Sequence, residues 1–180
     1  MHHLIIVMYG EQMTAVNLEA KTVEESKMVM AYQTLPQDAN PSGTVHGGII
    51  MKFIDSAAGS AAIRHSRSNC VTTSMDRMEF YQPVYVGDMI TIIASVNYVG
   101  NSSIEVGARV ESENMLTGET RHTASAYITY VAVDDHGKPR QVPGLILATE
   151  DDQRRHRKAA LRREKRKLYL AERKLEKETK

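Results

Sequence analysis

The sequence predicts an α+β fold, in which one antiparallel sheet wraps around one central helix and a charged helical extension follows at the C-terminus. Three observations predict it. One long run with helical spacing of its apolar residues covers residues 45–64. One strand-like run precedes this helix, and four follow it with connectors short enough for hairpins. Long strands joined by such connectors form antiparallel sheets, and a broad apolar helix face packs onto them.

The first elements are a strand and the central helix. Residues 26–36 are apolar and alternate weakly, and the proline at their end opens a loop rich in turn-forming residues. In residues 45–64 the apolar side chains recur at helical intervals and form one broad face. This run keeps Gly47, Gly48 and Gly59, although each costs a helix about 1 kcal/mol relative to alanine. We therefore expect other elements to approach its backbone closely.

Four further strands are predicted after the helix. They cover residues 70–80, 88–99, 103–114 and 120–133. The connectors QPVYVG, GNS and MLTGE each contain glycine or proline. The turn-rich stretch DDHGKPRQVPGL then leads out of the sheet. The chain is thus predicted to consist of an N-terminal extension at residues 1–25, an α+β domain at 26–145 and a charged helical tail at 146–180.

Composition limits the class of protein. A chain of 180 residues with 42% hydrophobic residues buries an ordinary core without needing a disulfide or a metal. Its single cysteine cannot form an internal disulfide. No apolar run reaches the ~18 residues of a membrane span, and the first residues lack the basic segment and cleavage site of a signal peptide. We therefore expect a cytoplasmic protein that does not enter a membrane.

Charge separates the tail from the rest of the chain. Residues 150–180 hold 13 Lys and Arg against 7 Asp and Glu, a net of +6, whereas the other residues hold 10 against 15, a net of −5. Leu161, Leu168 and Leu175 recur every seven residues among strong helix formers. We interpret the tail as a solvated helix docked by this narrow leucine stripe, with a contact between copies of the chain as the alternative. Because acidic residues interrupt its basic field and Tyr169 is its one aromatic residue, nucleic-acid binding is not expected.

The stretch ANPSGTVHGGIIMKFIDSAA carries the candidate chemistry. Asp55 stands on the predicted helix among small and apolar residues, a setting that would desolvate its carboxylate and make it a better general base. Gly47 and Gly48 stand at the helix start, where free backbone N–H groups favour negative charge on a carbonyl oxygen. Asn40, in the preceding loop, has an amide suited to orienting water or a carbonyl group.

Each of these residues also has a purely structural interpretation. Asp55 would then pair with Arg64 or His65, His46 would cap the helix or steady the loop, and Asn40 would be a turn residue. A serine hydrolase is not indicated, since G-x-S-x-G is absent, and the glycines lack the spacing of a phosphate loop. The histidines and the cysteine show no metal-ligand spacing, so we expect neither a metal nor a cofactor.

Taken together, these motifs resemble the hot-dog-fold acyl-CoA thioesterases, in their cytosolic acyl-CoA hydrolase branch. The resemblance rests on N-x-x-G-x-V-H-G-G, the aspartate on the helix after it and F-x-x-P-V-x-x-G-D, and it covers residues 28–143. It implies a hot-dog fold, hydrolysis of acyl-CoA to a free acid and CoA, and a dimer with a continuous sheet that often assembles into a hexamer. The active sites would lie at the dimer interface, with Asn40 of one chain facing Asp55 of the other.

The resemblance also implies roles for individual residues. Asp55 becomes the catalytic carboxylate, Asn40 its partner from the opposite chain, and the Gly48 amide the group that polarises the thioester carbonyl. A hydroxyl of the following strand would assist; alternation lets only one of two neighbouring threonines face inward, and Thr73 is our choice. The implied substrate contacts are His46, Gly47, Thr72, Asn101, Ser102, Ser103 and Arg121, with His122 beside Arg121 near the CoA phosphates.

Two other functions stay open. A non-catalytic regulator on the same fold would bind acyl-CoA without hydrolysing it. A related hot-dog dehydratase would depend on a histidine such as His46. Because Asn40 and Asp55 are both present, hydrolysis with Asp55 as general base or as nucleophile is the function that the sequence favours.

Overall fold

The computed structural model describes residues 5–7, 14–16 and 18–178, with side chains over 18–176. The strands are β1 (Ile5–Val7), β2 (Thr14–Val16), β3 (Lys21–Thr22), β4 (Met28–Gln33), β5 (Asn69–Phe80), β6 (Met89–Val99), β7 (Ser103–Glu113), β8 (Thr120–Val133) and β9 (Leu145–Ile146). The helices are α1 (Val23–Ser26), α2 (Gly47–Ser66) and α3 (Glu150–Glu178), with a 3-10 helix at Pro36–Asp38. Residues 1–4, 8–13 and 17 of the predicted N-terminal extension lie outside the described residues.

Five antiparallel strands form the main sheet, in the order β4-β6-β7-β8-β5. The strands β6, β7 and β8 follow one another as hairpins, whereas β4 and β5, which flank α2 in the sequence, are the two edges. The prediction of an antiparallel sheet with one central helix is confirmed, and the bounds of α2 and of these strands differ from the predicted ones by no more than three residues. Two short pairs, β1-β2 and β3-β9, were not predicted.

One face of the sheet packs on α2 and forms the core. Alternate residues of β6, β7 and β8, among them Ile92, Val106 and Ile128, are fully buried, as expected when one side of each strand faces a helix. The helix contributes Ile54 and a series of alanines to the same cluster. Small side chains bring the helix axis close to the sheet, so groups on α2 come within hydrogen-bonding reach of strand side chains.

A buried histidine near the end of α2 ties that helix to α1 and β3. His65 Nδ1 lies 3.3 Å from Ser26 Oγ of α1, and its Nε2 lies 3.0 Å from the Pro143 carbonyl oxygen. Lys21 Nζ donates to the His65 carbonyl oxygen at 2.6 Å. Residues 21–26 therefore pack directly against the α+β domain, and the three-part division of the chain stays a prediction.

We expect the stability of the fold to depend on the protonation of His65. Burial lowers the pKa of His65 below its ordinary value of 6.5 and Lys21 adds to this, whereas the Pro143 hydrogen bond and Glu25 act in the opposite direction. The unfolded chain then binds a proton more readily than the folded one. The free energy of unfolding should be highest above pH 6.5 and should fall as the pH drops below 6.5 toward the lower pKa of the folded state.

Urea unfolding over a pH series measures this dependence. The matched control is His65→Gln, which keeps an N–H donor for the Pro143 carbonyl but does not titrate. The pH dependence of the difference between the two proteins isolates the histidine. Equal slopes in the wild type and the variant would contradict the prediction.

The helix α3 crosses the face of the sheet opposite to α2. Its contacts include Ser95, Glu105 and Tyr127, which alternate along their strands with core residues such as Ala94, Ile104 and Ala126. The predicted C-terminal helix is therefore confirmed. Within the described part of the chain, no helix combines the length and the apolar character needed to cross a membrane.

The leucine stripe does not dock this helix, so that prediction is wrong. Leu161, Leu168 and Leu175 are each 65% exposed. The side that faces the sheet instead carries Arg155, His156, Ala159, Arg162, Arg163 and Arg166. Arg162 Nη2 donates to Glu105 Oε1 at 2.5 Å, and Glu105 is 3% exposed. A carboxylate held on this face of the sheet requires a cation, which is why the helix turns its arginine side inward.

Candidate active site

His46 and two glycines build the start of α2. His46 is the N-cap residue, and its Nδ1 accepts a hydrogen bond from the Gly48 N–H at 2.9 Å. A Cβ at position 48 would lie 3.1 Å from that nitrogen, so glycine gives the histidine room to cap the helix. The Gly47 N–H has no hydrogen-bond partner among the described residues. The Gly48 N–H, which the sequence predicts as the anion donor, is therefore occupied by His46 in the single chain, whereas the Gly47 N–H is open.

Asn40 organises the loop that leads into α2. Its Oδ1 accepts from the backbone N–H groups of Ser42 at 2.9 Å and Thr44 at 3.3 Å, and its Nδ2 donates to Thr44 Oγ1 at 2.9 Å. Within the described chain no hydrogen bond joins it to Asp55. The turn interpretation is therefore what a single chain shows, and a role toward the Asp55 of a second chain stays a prediction.

Asp55 lies in the middle of α2 with one carboxylate oxygen held and the other free. Its Oδ1 accepts hydrogen bonds from Thr72 Oγ1 at 3.0 Å and from the Tyr130 hydroxyl at 3.0 Å. Its Oδ2 accepts none from any side chain or N–H group that the structure describes. The alternative in which Asp55 pairs with Arg64 or His65 is wrong, since those two side chains bind the Lys27 and Pro143 carbonyl oxygens.

The predicted burial of Asp55 is not found in the single chain, where this residue is exposed. The helix turns Ile54 and Ala57 into the core, so Asp55 emerges on another side, toward the edge strand β5. Exposed apolar side chains lie on the same strand, with Val71 47% and Met75 36% exposed. Of the apolar residues near Asp55, those on α2 are thus buried in the core, and those on β5 are exposed on the surface.

The register of two strands explains which hydroxyls reach Asp55. Thr72 on β5 is directly opposite Tyr130 on β8, and opposed residues of an antiparallel pair point to the same face. The register then shifts between Thr72 and Ser74, so Thr73 is the extra residue of a β-bulge. Its hydroxyl donates to the Thr129 carbonyl at 2.9 Å. The choice of Thr73 is therefore corrected: Thr72 makes the contact.

Sequence reasoning misses Tyr130. In TASAYITYVAV its position has the parity of the core residues Ala126 and Ile128, so it is easily taken for core packing. The signal that could have found it is its hydroxyl, because a buried tyrosine normally bonds a partner. Burial raises the pKa of Tyr130 far above its ordinary value of 10, and the charge of Asp55 and their hydrogen bond add to this. The phenol therefore stays protonated and acts as a donor.

The predicted CoA contacts in the β6–β7 turn lie near this cluster. Ser103 pairs with Val131, one residue from Tyr130 along β8. The carbonyl oxygens of Asn101 and Ser102 accept hydrogen bonds from Val142 and Ala132, at 2.9 Å each, which hold the turn in place. The structure thus brings the turn to the same end of the sheet as Asp55, while contact with CoA stays a prediction.

Arg121 is engaged elsewhere. Its Nη2 donates to Asp88 Oδ2 at 2.8 Å, and the same buried oxygen accepts from Ser112 Oγ at 2.6 Å. Nine residues separate Arg121 from Tyr130 on β8, roughly 30 Å along a strand. His122 beside it is 2.9 Å from Ser125 Oγ. Within its own chain Arg121 therefore neutralises a buried carboxylate, and its contact with substrate stays a prediction.

An apolar cleft of about 380 Å³ opens beside Gly47. It is lined by Val45, Ile50, Phe80, Pro83 and Val84 among others. The Gly47 N–H, which has no hydrogen-bond partner among the described residues, thus lies beside an apolar surface. A larger cavity, of about 580 Å³, lies beneath α3 on the other face of the sheet, and no residue of the Asp55 cluster lines it. The described residues contain no group of three or more potential metal ligands.

A family model and similar protein sequences indicate the same family. The model of the thioesterase superfamily matches residues 42–119. The uncharacterized acyl-CoA thioester hydrolase YkhA of Bacillus subtilis is 38% identical over 149 residues, which cover 83% of this chain and 87% of that protein. The cytosolic acyl coenzyme A thioester hydrolase of the mouse is 36% identical over 141 residues, 77% of this chain but 37% of that longer protein.

Solved structures agree with these sequences. The crystal structure of an apo-hexameric acyl-CoA thioesterase is similar with a TM-score of 0.82 and 38% identity, over 85% of this chain and 98% of that one. The acyl-CoA hydrolase of Staphylococcus aureus, solved with butyryl coenzyme A, coenzyme A and coenzyme A disulfide, has a TM-score of 0.81 and 34% identity, over 88% and 97%. The predicted hot-dog fold is therefore confirmed.

Three variants of the Staphylococcus aureus enzyme have also been solved, with alanine replacing an aspartate, an asparagine or a threonine. In that enzyme the asparagine precedes the aspartate by 15 positions and the threonine follows it by 17. Asn40, Asp55 and Thr72 have the same separations. From its sequence relatives and its fold, the chain belongs to the thioesterase superfamily and, within it, to the acyl-CoA thioester hydrolases.

Proposed function

We propose that this protein hydrolyses acyl-CoA thioesters to a free carboxylic acid and CoA. The observation that carries the proposal is the state of Asp55, an exposed carboxylate on the central helix with one oxygen held and the other free. The separations shared with the three Staphylococcus aureus variants support it. Because the mouse relative is named cytosolic, we extend the proposal to a cytoplasmic location.

In this mechanism Asp55 Oδ2 takes a proton from a water molecule as the water oxygen attacks the thioester carbonyl carbon. The negative charge that develops on the carbonyl oxygen is stabilised by the Gly47 N–H at the start of α2. Since Gly47 and Asp55 of one chain are about 12 Å apart along that helix, this N–H comes from a second copy of the chain, which also supplies Asn40. The C–S bond then breaks, and the CoA sulfur leaves with the proton that Asp55 Oδ2 took from the water, which restores the carboxylate. Direct attack by Asp55 through an anhydride is the alternative, and transfer of oxygen from labelled water into Asp55 during a single turnover would indicate it.

The apolar cleft beside Gly47 suits the acyl chain. A thioester whose carbonyl oxygen meets the Gly47 N–H would have its hydrocarbon end next to Phe80 and Ile50. Burial of each methylene there contributes about 0.8 kcal/mol of binding free energy. The cleft therefore favours acyl groups with several carbons over the acetyl group.

We further propose that a second copy of the chain completes each site. The strand β5 has β8 as a partner on one side and a free edge on the other, and an unpaired edge with apolar side chains favours association. Pairing there would cover Val71 and Met75 and would desolvate Asp55. Asn40 of the partner would then face Asp55, and such dimers would assemble into a hexamer, as in the hexameric relative.

Release of free thiol from CoA esters of increasing chain length, followed with a thiol reagent, tests the proposed reaction. We expect turnover, with a preference for chains longer than acetyl. If the protein binds CoA esters but releases no thiol at any chain length, it is a binding protein and the proposal is wrong. Conversion of a hydroxyacyl ester without thiol release would instead indicate the dehydratase reaction.

Mixed oligomers test whether the site is shared. Chains with Asn40→Ala and chains with Asp55→Asn should each be nearly inactive alone. Co-expressed in equal amounts, they should recover about one quarter of the wild-type activity, because half of randomly paired dimers contain one site with both residues intact. As a control, Asp55→Asn paired with Thr72→Ala should show no more activity than the mean of the two variants measured alone, since these two residues serve the same site from one chain. Recovery in neither mixture would place Asn40 and Asp55 in one chain's site.

A further inference from the structure

Tyr130 does more than fill space in the core, because its hydroxyl lies within hydrogen-bonding distance of two oxygen atoms of Asp55. The Tyr130 hydroxyl lies 3.0 Å from Asp55 Oδ1 and 3.1 Å from the Asp55 carbonyl oxygen. The tyrosine is 2% exposed, and its ring lies 3.6 Å from the place that a Cβ at Gly59 would occupy, one turn further along α2. The hydroxyl is therefore held by a ring that has little freedom to move.

We propose that Tyr130 is a positioning residue for thioester hydrolysis: together with Thr72 it holds Asp55 Oδ1, so that Oδ2 alone is left to accept the proton from water. This inference rests on the proposed function. The two hydroxyls come from β8 and β5, which are paired at this point. One oxygen is therefore fixed from two strands, and the orientation of the carboxylate follows from the register of the sheet.

Positioning of the carboxylate matters because Asp55 is exposed and its side chain is otherwise free to rotate. An aspartate on an exposed side of a helix has several rotamers, and each wrong one moves the basic oxygen away from the water. Misplacement of a reacting group by about 1 Å is enough to cost on the order of 100-fold in rate. Two donors on one oxygen remove this freedom before the substrate binds, without occupying the oxygen that does the chemistry.

The Tyr130 hydroxyl also keeps its own proton. The high pKa of Tyr130 keeps its hydroxyl protonated over the working range. The other titratable group that the structure records near this tyrosine is Cys70 on β5, and burial raises the pKa of its thiol, so it stays neutral. The phenol therefore remains a donor at every pH at which the enzyme works.

The variant Tyr130→Phe tests the inference, because it keeps the ring and removes the hydroxyl. We expect kcat to fall about tenfold, in line with the loss of a hydrogen bond to a charged group, while KM changes less than twofold because the phenol does not contact substrate.

Tyr127→Phe is the matched control. It removes a hydroxyl from the same strand, but on the face that packs against Arg162 of α3. It should keep the wild-type kcat and the wild-type KM. Thermal unfolding of both variants separates lost positioning from lost folding.

The outcomes distinguish this inference from the function on which it rests. An unchanged kcat in Tyr130→Phe, with Asp55→Asn inactive, would overturn the positioning role and leave the function intact. A lower kcat that follows only a loss of folded protein would also overturn it. Normal turnover in Asp55→Asn would instead overturn the proposed function itself.

Discussion

Replacement of Asp55 by asparagine is expected to lower kcat by about 1000-fold, within the range that general acid–base catalysis contributes. Asparagine keeps the size of the side chain, and its carbonyl oxygen still accepts hydrogen bonds from Thr72 and Tyr130. The other end becomes an NH₂ group, which cannot take a proton from water. Folding should therefore be preserved while the chemical step is lost.

Thiol release under saturating acyl-CoA measures this effect. Ser56→Ala is the matched control, because Ser56 is the next residue on α2, is exposed and donates its hydroxyl proton to the Lys52 carbonyl oxygen on the same helix. That variant should turn over at the wild-type rate. Near-normal turnover of Asp55→Asn, with an intact fold, would exclude Asp55 as both base and nucleophile.

Replacement of Arg162 by alanine is expected to lower the free energy of unfolding by about 3 kcal/mol, the cost of leaving one member of a buried ion pair alone. Glu105 would stay beneath α3 without its cation. The guanidinium group also lies 3.7 Å above the Tyr127 ring, so a packed surface is lost with the charge. For a chain of this length we expect a fall in the melting temperature of roughly 10 °C.

Two further variants test whether the unpaired charge of Glu105 causes the loss of stability. Arg173→Ala removes an arginine from the same helix where it lies over the exposed Tyr169, and should change stability by less than about 0.5 kcal/mol. Adding Glu105→Gln to Arg162→Ala removes the unpaired charge, and should recover part of the loss. A double variant no more stable than the single one would show that the buried charge is not the cause.

The long elements could be predicted because their signals are local. The 3.6-residue period of α2, the alternation of β5 to β8 and the glycines and prolines between them all act within a few residues. The pair β3-β9 and the helix α1 have two to four residues each, too few for a period. They exist because Thr22 pairs with Ile146 and because His65 holds Ser26, which are contacts between distant parts of the chain.

The residues of the candidate site likewise divide into those that a short motif indicates and those that depend on the fold. Asn40, Asp55 and the glycines of HGG lie within 16 residues and could be found as a motif. The choice between Thr72 and Thr73 depends on a bulge, which inverts the inward and outward sides of a strand. The use of the Gly48 N–H by His46, which leaves Gly47 free, depends on the conformation of one side chain.

The sequence by itself determined the fold class, the central helix, the family and the aspartate with its loop asparagine, because each is written in a short stretch of chain. Only the tertiary structure decided which hydroxyls hold Asp55 and which face of the tail meets the sheet. Tyr130 reaches Asp55 across 75 residues, and α3 turns its arginines inward because carboxylates from distant strands lie beneath it. Which donor or counter-ion binds a given group depends on which residues lie close together in the folded chain. For residues that are far apart in the sequence, no short stretch of sequence indicates this.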